Sequence, residues 1–243
     1  MPSATVENYV KKILVLSLET DEEQVGMGEI AKGLEVAAGT ATSMIKNLER
    51  SKLVRYKSRQ GVTLTAKGRK LGMDMLRRHR LVETFLVETL GLDWTEIHQE
   101  AEELEHAISD KVLDRLDKFL GRPEFDPHGD PIPTKNGKFA ERRIRNLLEC
   151  QSKQTRTIKL LTDQSTDFLN FARRKGLVPG TSVEVTNRDL ISDAVELRVG
   201  KKKSFTLGSK AAKKNNSIKN PECLSDKPGV PSSAKLRKYT NKP

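Results

Sequence analysis

The sequence predicts a mainly α protein: an N-terminal winged helix-turn-helix, a helical middle and a small C-terminal β-barrel-like domain. Three observations predict it. Apolar residues recur at helical spacing through most of residues 5–120, interrupted by two short β-type runs between Leu53 and Leu64. From Thr157 onward the apolar runs become short and are punctuated by Gly176, Pro179, Gly180 and Gly208. Charge changes sign along the same divisions. Residues 1–72 hold 12 basic and 8 acidic side chains, residues 73–133 hold 7 and 15, and residues 201–243 hold 12 and 2. An acidic middle suits a cation, and basic flanks suit a polyanion.

Val6, Tyr9, Val10, Ile13, Leu14 and Leu16 mark a first helix over residues 5–19. Asp21–Gly28 reads as a polar turn. Ile30, Ala31 and Leu34 mark a short helix, and Thr40–Arg50 a second one with Met44, Ile45 and Leu48 inward. Leu53–Lys57 and Val62–Leu64 read as strands around the turn Ser58-Arg59-Gln60-Gly61. Thr65 is placed to cap a long helix running to about Leu90. Asp93 and Glu96 suggest a capping box for a helix over Trp94–Ile108. Ser109 caps Asp110–Leu120, which Gly121-Arg122-Pro123 stops.

Beyond a Pro-rich loop, Ile158–Leu161, Ser182–Val185, Ala194–Val199 and Phe205–Leu207 are the expected strands. The expected domains are therefore 1–72 (winged helix-turn-helix), 73–138 (helical), 139–156 (linker), 157–212 (β domain) and 213–243 (disordered basic tail). The tail is rich in Lys, Asn, Ser and Pro and almost free of apolar residues.

Two cysteines 73 positions apart, Cys150 and Cys223, exclude a disulfide framework and a thiolate zinc site. No 18-residue apolar run exists, so no membrane partner is expected. The first residues do not read as a signal peptide, and a cytoplasmic location is the expectation.

Three of the four histidines fall between positions 79 and 106, each with carboxylates at helical spacing. His79 pairs with Glu83. His98, Glu102, Glu105 and His106 share one helical face. Converging imidazoles and carboxylates form a site for a divalent transition metal of the harder kind, Mn²⁺ or Fe²⁺. One site is expected from His79, Glu83 and His98, and a second from Glu102, Glu105 and His106 with a further donor from elsewhere. His128 reads as a turn residue of the Pro-rich loop.

Helix, turn, helix and wing place one helix in a DNA major groove. The reading helix offers Gly39, Thr40, Thr42, Ser43 and Lys46, and the wing offers Lys57, Arg59 and Gln60. Hydroxyls meet base edges or phosphates, and the cations meet phosphates.

These residues resemble a known family. Residues 5–133 are similar to the diphtheria-toxin-repressor and manganese-transport-regulator family of metal-dependent repressors. The matching stretches are Glu7-Asn8-Tyr9, Ile30-Ala31, Gly39–Leu53, Leu64–Gly68, Arg78–Leu81, Glu105-His106 with Ser109-Asp110, and the Gly129–Pro133 loop. Residues 157–212 look like the SH3-like domain of the iron-dependent branch.

The resemblance implies a homodimer on a palindromic double-stranded operator, with no small organic substrate and no enzymatic activity. It implies one metal site from His79, Glu83 and His98 and another from Glu102, Glu105, His106 and a first-helix residue aligned with Asn8. Three departures stand out. Glu102 occupies a position that is usually cysteine in iron-type members, which leans toward manganese or thiolate-free ferrous iron. Asn8 offers a neutral carbonyl where methionine or aspartate is usual. Lys11 stands where manganese-type members place a glutamate, which points away from a binuclear site and leaves the separated iron-type arrangement with its full histidine set. Asp163, Gln164 and Asp167 are candidate ligands from the SH3-like domain.

Two other readings compete. A di-metal carboxylate enzyme needs two Glu-x-x-His repeats, and the chain has one, Glu103 to His106. A metal-independent winged-helix regulator would use the acidic helices only to dimerise.

Overall fold

The computed structural model describes residues 2–140, 144–150, 152–189, 191–200, 203–215 and 217–219. The N-terminal third folds from α1 (Ala4–Thr20), β1 (Gln24–Val25), α2 (Met27–Gly33), α3 (Ala38–Arg50), β2 (Val54–Lys57) and β3 (Gly61–Leu64). The Ser3 hydroxyl caps α1 by accepting from the Val6 N–H. Tyr9, Val10, Ile13 and Leu14 of α1 are buried, together with Ile30, Ala41, Ile45, Leu48, Val54 and Val62. Ala41, Ile45 and Leu48 lie at i, i+4 and i+7, so α3 buries one stripe and leaves the opposite face outward. The segment read as a polar turn contains β1, which adds a third strand to the wing in the order β1-β3-β2. Two residues, Gln24 and Val25, pair with Thr63 and Val62, too short a run for a period-2 pattern.

Thr65 caps α4 (Ala66–Glu88), accepting from the Gly68 N–H at 3.1 Å. A side chain at Gly68 would meet the Leu53 carbonyl oxygen at 2.0 Å, so only glycine lets α4 leave the wing this closely. The next helix, α5, spans Ile97–Glu105, shorter than the expected Trp94–Ile108. Asp93 does not cap it. Its Oδ1 accepts from the Thr95 N–H and hydroxyl, and its carbonyl accepts from the Glu96 N–H. That local turn competes with helix initiation. Helix α6 (Asp110–Phe119) starts under the Ser109 cap.

The loop after α6 is held on α4. Arg77 donates to the Pro133 carbonyl at 2.8 Å and Arg80 to that of Pro131 at 2.6 Å. Arg80 also faces Asp126 and Asp130 at 3.5 and 3.3 Å.

The C-terminal unit comprises β4 (Ile144–Asn146), β5 (Gln154–Leu160), α7 (Thr166–Lys175), β6 (Ser182–Asp189), β7 (Ala194–Val199), β8 (Phe205–Gly208), α8 (Ser209–Asn215) and β9 (Ser217–Lys219). Its six strands are antiparallel in the order β4-β9-β5-β6-β7-β8. Two expectations are corrected here. Residues 139–156 are not simply a linker: β4 lies within them, β5 begins there at Gln154, and Leu147, Leu148 and Cys150 enter the core with Ile158, Val183 and Leu197. Residues 213–219 are not a disordered tail either, since β9 sits between β4 and β5. Both segments contribute pieces of three residues flanked by charges, which no periodicity scan resolves. Residues 220–243 lie outside the described residues.

The barrel docks on the helical unit. The Leu161 N–H donates to the His128 carbonyl, and Gly129, at φ +92°, lies against the Lys159 carbonyl where a Cβ would stand 1.8 Å away. Arg173 pairs with Asp93, and Trp94 packs on the barrel core.

Candidate metal centre and DNA-binding face

Helix α4 presents His79 and Glu83 one turn apart on its inner face, at 5% and 1% exposure. Helix α5 packs against that face and brings His98, Glu102 and Glu105 to it. His79 Nε2 lies 3.0 Å from Glu83 Oε1 and 3.0 Å from His98 Nδ1, while His98 Nδ1 stands 3.4 Å from Glu83 Oε1. These three residues converge tightly enough to hold one ion. The expected first set is therefore brought together.

The second set is not separate from it. The other ring nitrogen of His79, Nδ1, lies 2.7 Å from Glu105 Oε2, so one imidazole joins both carboxylate groups. Glu105 is fully buried. Between Glu102 and Glu105 sits an ammonium. Lys11 Nζ donates to Glu102 Oε1 at 2.5 Å and to the two oxygens of Glu105 at 2.7 and 2.9 Å. His106, the residue that ends α5, turns its Nδ1 to Glu7 Oε2 at 2.7 Å. Its Nε2 is buried without a hydrogen-bond partner among the described residues, and so is Asn8 Oδ1. Buried polar atoms are normally paired. His106 Nε2 stands 3.6 Å from Glu105 Oε1, so a nitrogen lone pair faces that carboxylate. Nothing in the donor set is a thiolate. No contact among the described residues places Asn8 against Glu105 or His106.

Electrostatics follow from this crowding. Burial opposes the imidazolium of His79, but the Glu83 charge and hydrogen bonds from Glu105 and Glu83 outweigh it and hold its pKa up at about 9. Burial pushes the Glu83 carboxyl up, and the His79 charge with bonds from His79 and His98 pulls it well below the ordinary value. Glu102 is likewise penalised by burial and lowered on balance by Lys11. The Lys11 ammonium and an imidazole of raised pKa thus stand where carboxylates converge.

Sequence reasoning did not give four participants their partners. Glu7 stood only in a matching stretch, and Lys11 only as a departure from the manganese-type pattern. Asp126 and His128 lie in the turn closed by the bond from the Asp126 N–H to the Asp130 carbonyl. His128 is a turn residue as expected, yet it is 1% exposed and its Nδ1 stands 4.0 Å from Glu83 Oε2. Glu83, Asp126 and His128 form a further buried cluster against the first set. Burial and the neighbouring Asp130 and Glu83 charges push the Asp126 carboxyl well above its ordinary value. Two of the three SH3-like candidates have partners outside the two ligand sets: Asp163 accepts from the Ser165 N–H and Gln164 donates to Asp130.

The other functional face lies on α3 and the wing. Gly39, Thr40, Ser43 and Lys46 are exposed, Thr42 is half-buried with its hydroxyl donating to the Ala38 carbonyl, and Asn47 extends the same face. Lys57, Arg59 and Gln60 are exposed at the β2–β3 turn, where Arg59 adopts φ +61°. Backbone and hydroxyls at a helix N-terminus with cations on a wing are what a duplex backbone requires.

Comparison with known proteins agrees with both faces. Residues 1–62 match the iron dependent repressor N-terminal DNA binding domain, residues 65–134 the iron dependent repressor metal binding and dimerisation domain, and residues 145–214 the FeoA domain. The iron-dependent repressor IdeR of Mycobacterium leprae is 32% identical over 193 residues, spanning 74% of this chain and 83% of that protein. The diphtheria toxin repressor of Corynebacterium diphtheriae is 30% identical over 201 residues, 76% of this chain and 85% of that one. A manganese-dependent transcriptional repressor solved with manganese superposes with a TM-score of 0.77 at 33% identity, covering 88% of this chain and all of the other.

Proposed function

Since the chain belongs to the iron-dependent repressor family and is a metal-dependent, DNA-binding transcriptional repressor, we propose that a divalent ion at Asn8, Glu102, Glu105 and His106 switches operator binding on. His79, Glu83 and His98 hold a second ion beside it. Mn²⁺ and Fe²⁺ are the activators that the all-oxygen-and-nitrogen donor set favours. The bound ion supplies one thing, a rigid link between α1 of the winged domain and α5 of the dimerising domain. Every other contribution is the protein's own.

The observation that carries this reading is a pair of buried atoms without a hydrogen bond among the described residues, Asn8 Oδ1 on α1 and His106 Nε2 at the end of α5, the latter 3.6 Å from the fully buried Glu105. An ion bonded to donors on both domains fixes the angle between reading helices. In a dimer on a palindromic operator the half-sites lie about 10 base pairs apart, so that angle sets affinity. Gly39, Thr40, Thr42, Ser43 and Lys46 read or grip the major groove, and Lys57, Arg59 and Gln60 hold the backbone or minor groove. The homodimer pairs through the helical domain, where Leu104, Val112 and Phe119 are exposed at 41%, 54% and 69%. We place the protein in the cytoplasm and its targets among genes of metal homeostasis. His106→Ala should abolish Mn²⁺-dependent operator binding while sedimentation still reports a dimer. Undiminished metal-dependent binding in that variant would overturn the assignment.

A further inference from the structure

We propose that Lys11 is a tethered cation that competes with the activating metal for Glu102 and Glu105, so that metal binding is an exchange of ions rather than the filling of a vacant site. The inference rests on the function proposed above. Lys11 lies on α1, in the DNA-binding domain, and its partners lie on α5, more than 90 positions along the chain. Its side chain is 7% exposed, that of Glu105 is fully buried and that of Glu102 is 30% exposed.

An ammonium has three donors, and three carboxylate oxygens lie within 2.5–2.9 Å of Nζ. That arrangement compensates the removal of a lysine head from water. It also engages both Glu105 oxygens, and His79 Nδ1 already contacts one of them. A divalent ion needs those same lone pairs. It therefore takes Glu102 and Glu105 only as Lys11 gives them up.

The chemistry of lysine allows the release. Its head is a compact charge on a flexible four-carbon stem, able to leave along an exposed edge while the stem stays packed. Glu102 supplies that edge, being the half-exposed member of the pair. In metal-free protein the ammonium neutralises the carboxylates and ties α1 to α5. In metal-bound protein the ion takes over both tasks and Lys11 swings to solvent. The free energy of the ammonium contact is subtracted from that of metal binding, so Lys11 raises the metal concentration at which the repressor responds. Glutamine or methionine at this position would leave two carboxylates open to the ion. Arginine would keep the competitor.

The test measures Mn²⁺ affinity of the full chain by titration calorimetry against a competing chelator, for wild type, Lys11→Met, Lys11→Arg and Glu105→Gln. Lys11→Met should bind Mn²⁺ tighter by about tenfold or more, and Lys11→Arg should stay within about threefold of wild type. Unchanged or weaker binding in Lys11→Met, with Glu105→Gln still weakening it, overturns the role of Lys11 alone. Glu105→Gln with wild-type affinity removes the metal from this cluster, and the proposed function and this inference fall together. A second readout needs no variant. Acetylation of Lys11 in wild type, followed by mass spectrometry, should be slow without metal and rise severalfold on Mn²⁺ saturation. Protection that persists in the Mn²⁺-saturated protein overturns the exchange even if Lys11→Met does not fold.

Discussion

The two ligand sets on α4 and α5 meet the same problem in different ways. In the first, His79, Glu83 and His98 lie 3.0–3.4 Å from one another with no cationic side chain inserted between them. In the second, Glu102 and Glu105 are already bridged by Lys11, and the donors left over, Asn8 Oδ1 and His106 Nε2, are unpaired. The first set holds its one carboxylate, Glu83, against a His79 imidazole of raised pKa; the second holds two carboxylates on an ammonium from another domain. Only the second spans the boundary that has to be fixed for DNA binding. A set built within one pair of helices can strengthen the scaffold. A set that exchanges a lysine for an ion can report the ion.

The sharpest way to break this contrast is through the residue both sets share. Glu105 touches Lys11 and His79. Glu105→Ala strips the buried Lys11 ammonium and the buried His79 ring of one of their two carboxylates, leaving Glu102 to the first and Glu83 to the second. The metal-free protein should lose about 3–5 kcal/mol of stability, read by urea unfolding. Glu83→Ala removes a carboxylate from the first set alone. If the sets differ as described, it should weaken Mn²⁺ binding there yet leave metal-dependent operator affinity within about tenfold of wild type, against complete loss for Glu105→Ala. Equal losses in the two variants would erase the distinction.

A smaller effect separates the two by metal preference. Glu102→Cys puts a thiolate into the second set only. Activation of operator binding should shift toward zinc and cobalt relative to Mn²⁺, measured at buffered free ion concentrations. Wild type should respond to Mn²⁺ and Fe²⁺. If zinc alone activates wild type at matched concentrations, the oxygen-rich ligand assignment is wrong.

The proton in the first set gives a pH signature. His79 has its pKa raised from 6.5 to about 9 in the folded, metal-free chain. A raised folded value means stability that is fully present below pH 6.5 and lost as pH climbs through about 9. Metal-free protein should therefore unfold at progressively lower urea concentration between those limits. His79→Gln should flatten that slope. An unchanged slope in His79→Gln would assign it to another group.

Much of this was legible in the chain because long helices advertise themselves. His79 with Glu83, and His98 with Glu102, Glu105 and His106, sit at spacings that a helix makes adjacent; α4 and α5 bring His79, Glu83, His98, Glu102 and Glu105 to one place, while His106 lies past the end of α5 with its Nδ1 on Glu7. Helix α3 was readable from Met44, Ile45 and Leu48 for the same reason, although Ala41 rather than Met44 is the third fully buried position. What was not legible depends on contacts between distant segments. Nothing local marks Lys11 as the partner of Glu105, 94 positions away. His128 looks like a turn residue and is one, and its approach to Glu83 comes from the loop being drawn onto α4 by Arg77 and Arg80. The barrel suffered most. Its strands β4 and β9 are three residues each and pair with one another from opposite ends of the domain. Asp93 shows the limit of a cap signature, since its side chain was spent on Thr95 rather than on the helix.

The smallest expected effect concerns neither set. Residues 220–243 carry 5 basic against 2 acidic side chains, and cations that neutralise phosphates release counterions. Truncation belongs after Lys219 because β9 is part of the sheet. Removing residues 220–243 should lower affinity for operator and random duplex alike and reduce the salt slope, leaving their ratio within about twofold. Identical salt slopes would mean the tail only solvates.

The central claim is that metal at the second set controls DNA binding. Its most direct measurement is the affinity of the full wild-type chain for a palindromic duplex, followed by fluorescence anisotropy as free Mn²⁺ is raised from chelator-buffered zero to saturation. The account predicts a rise of about a hundredfold or more, within the range that a differential affinity of a few kcal/mol produces. The rise should be lost in His106→Ala and reached at lower Mn²⁺ in Lys11→Met. Operator affinity that is the same in chelator as in saturating Mn²⁺ would contradict it.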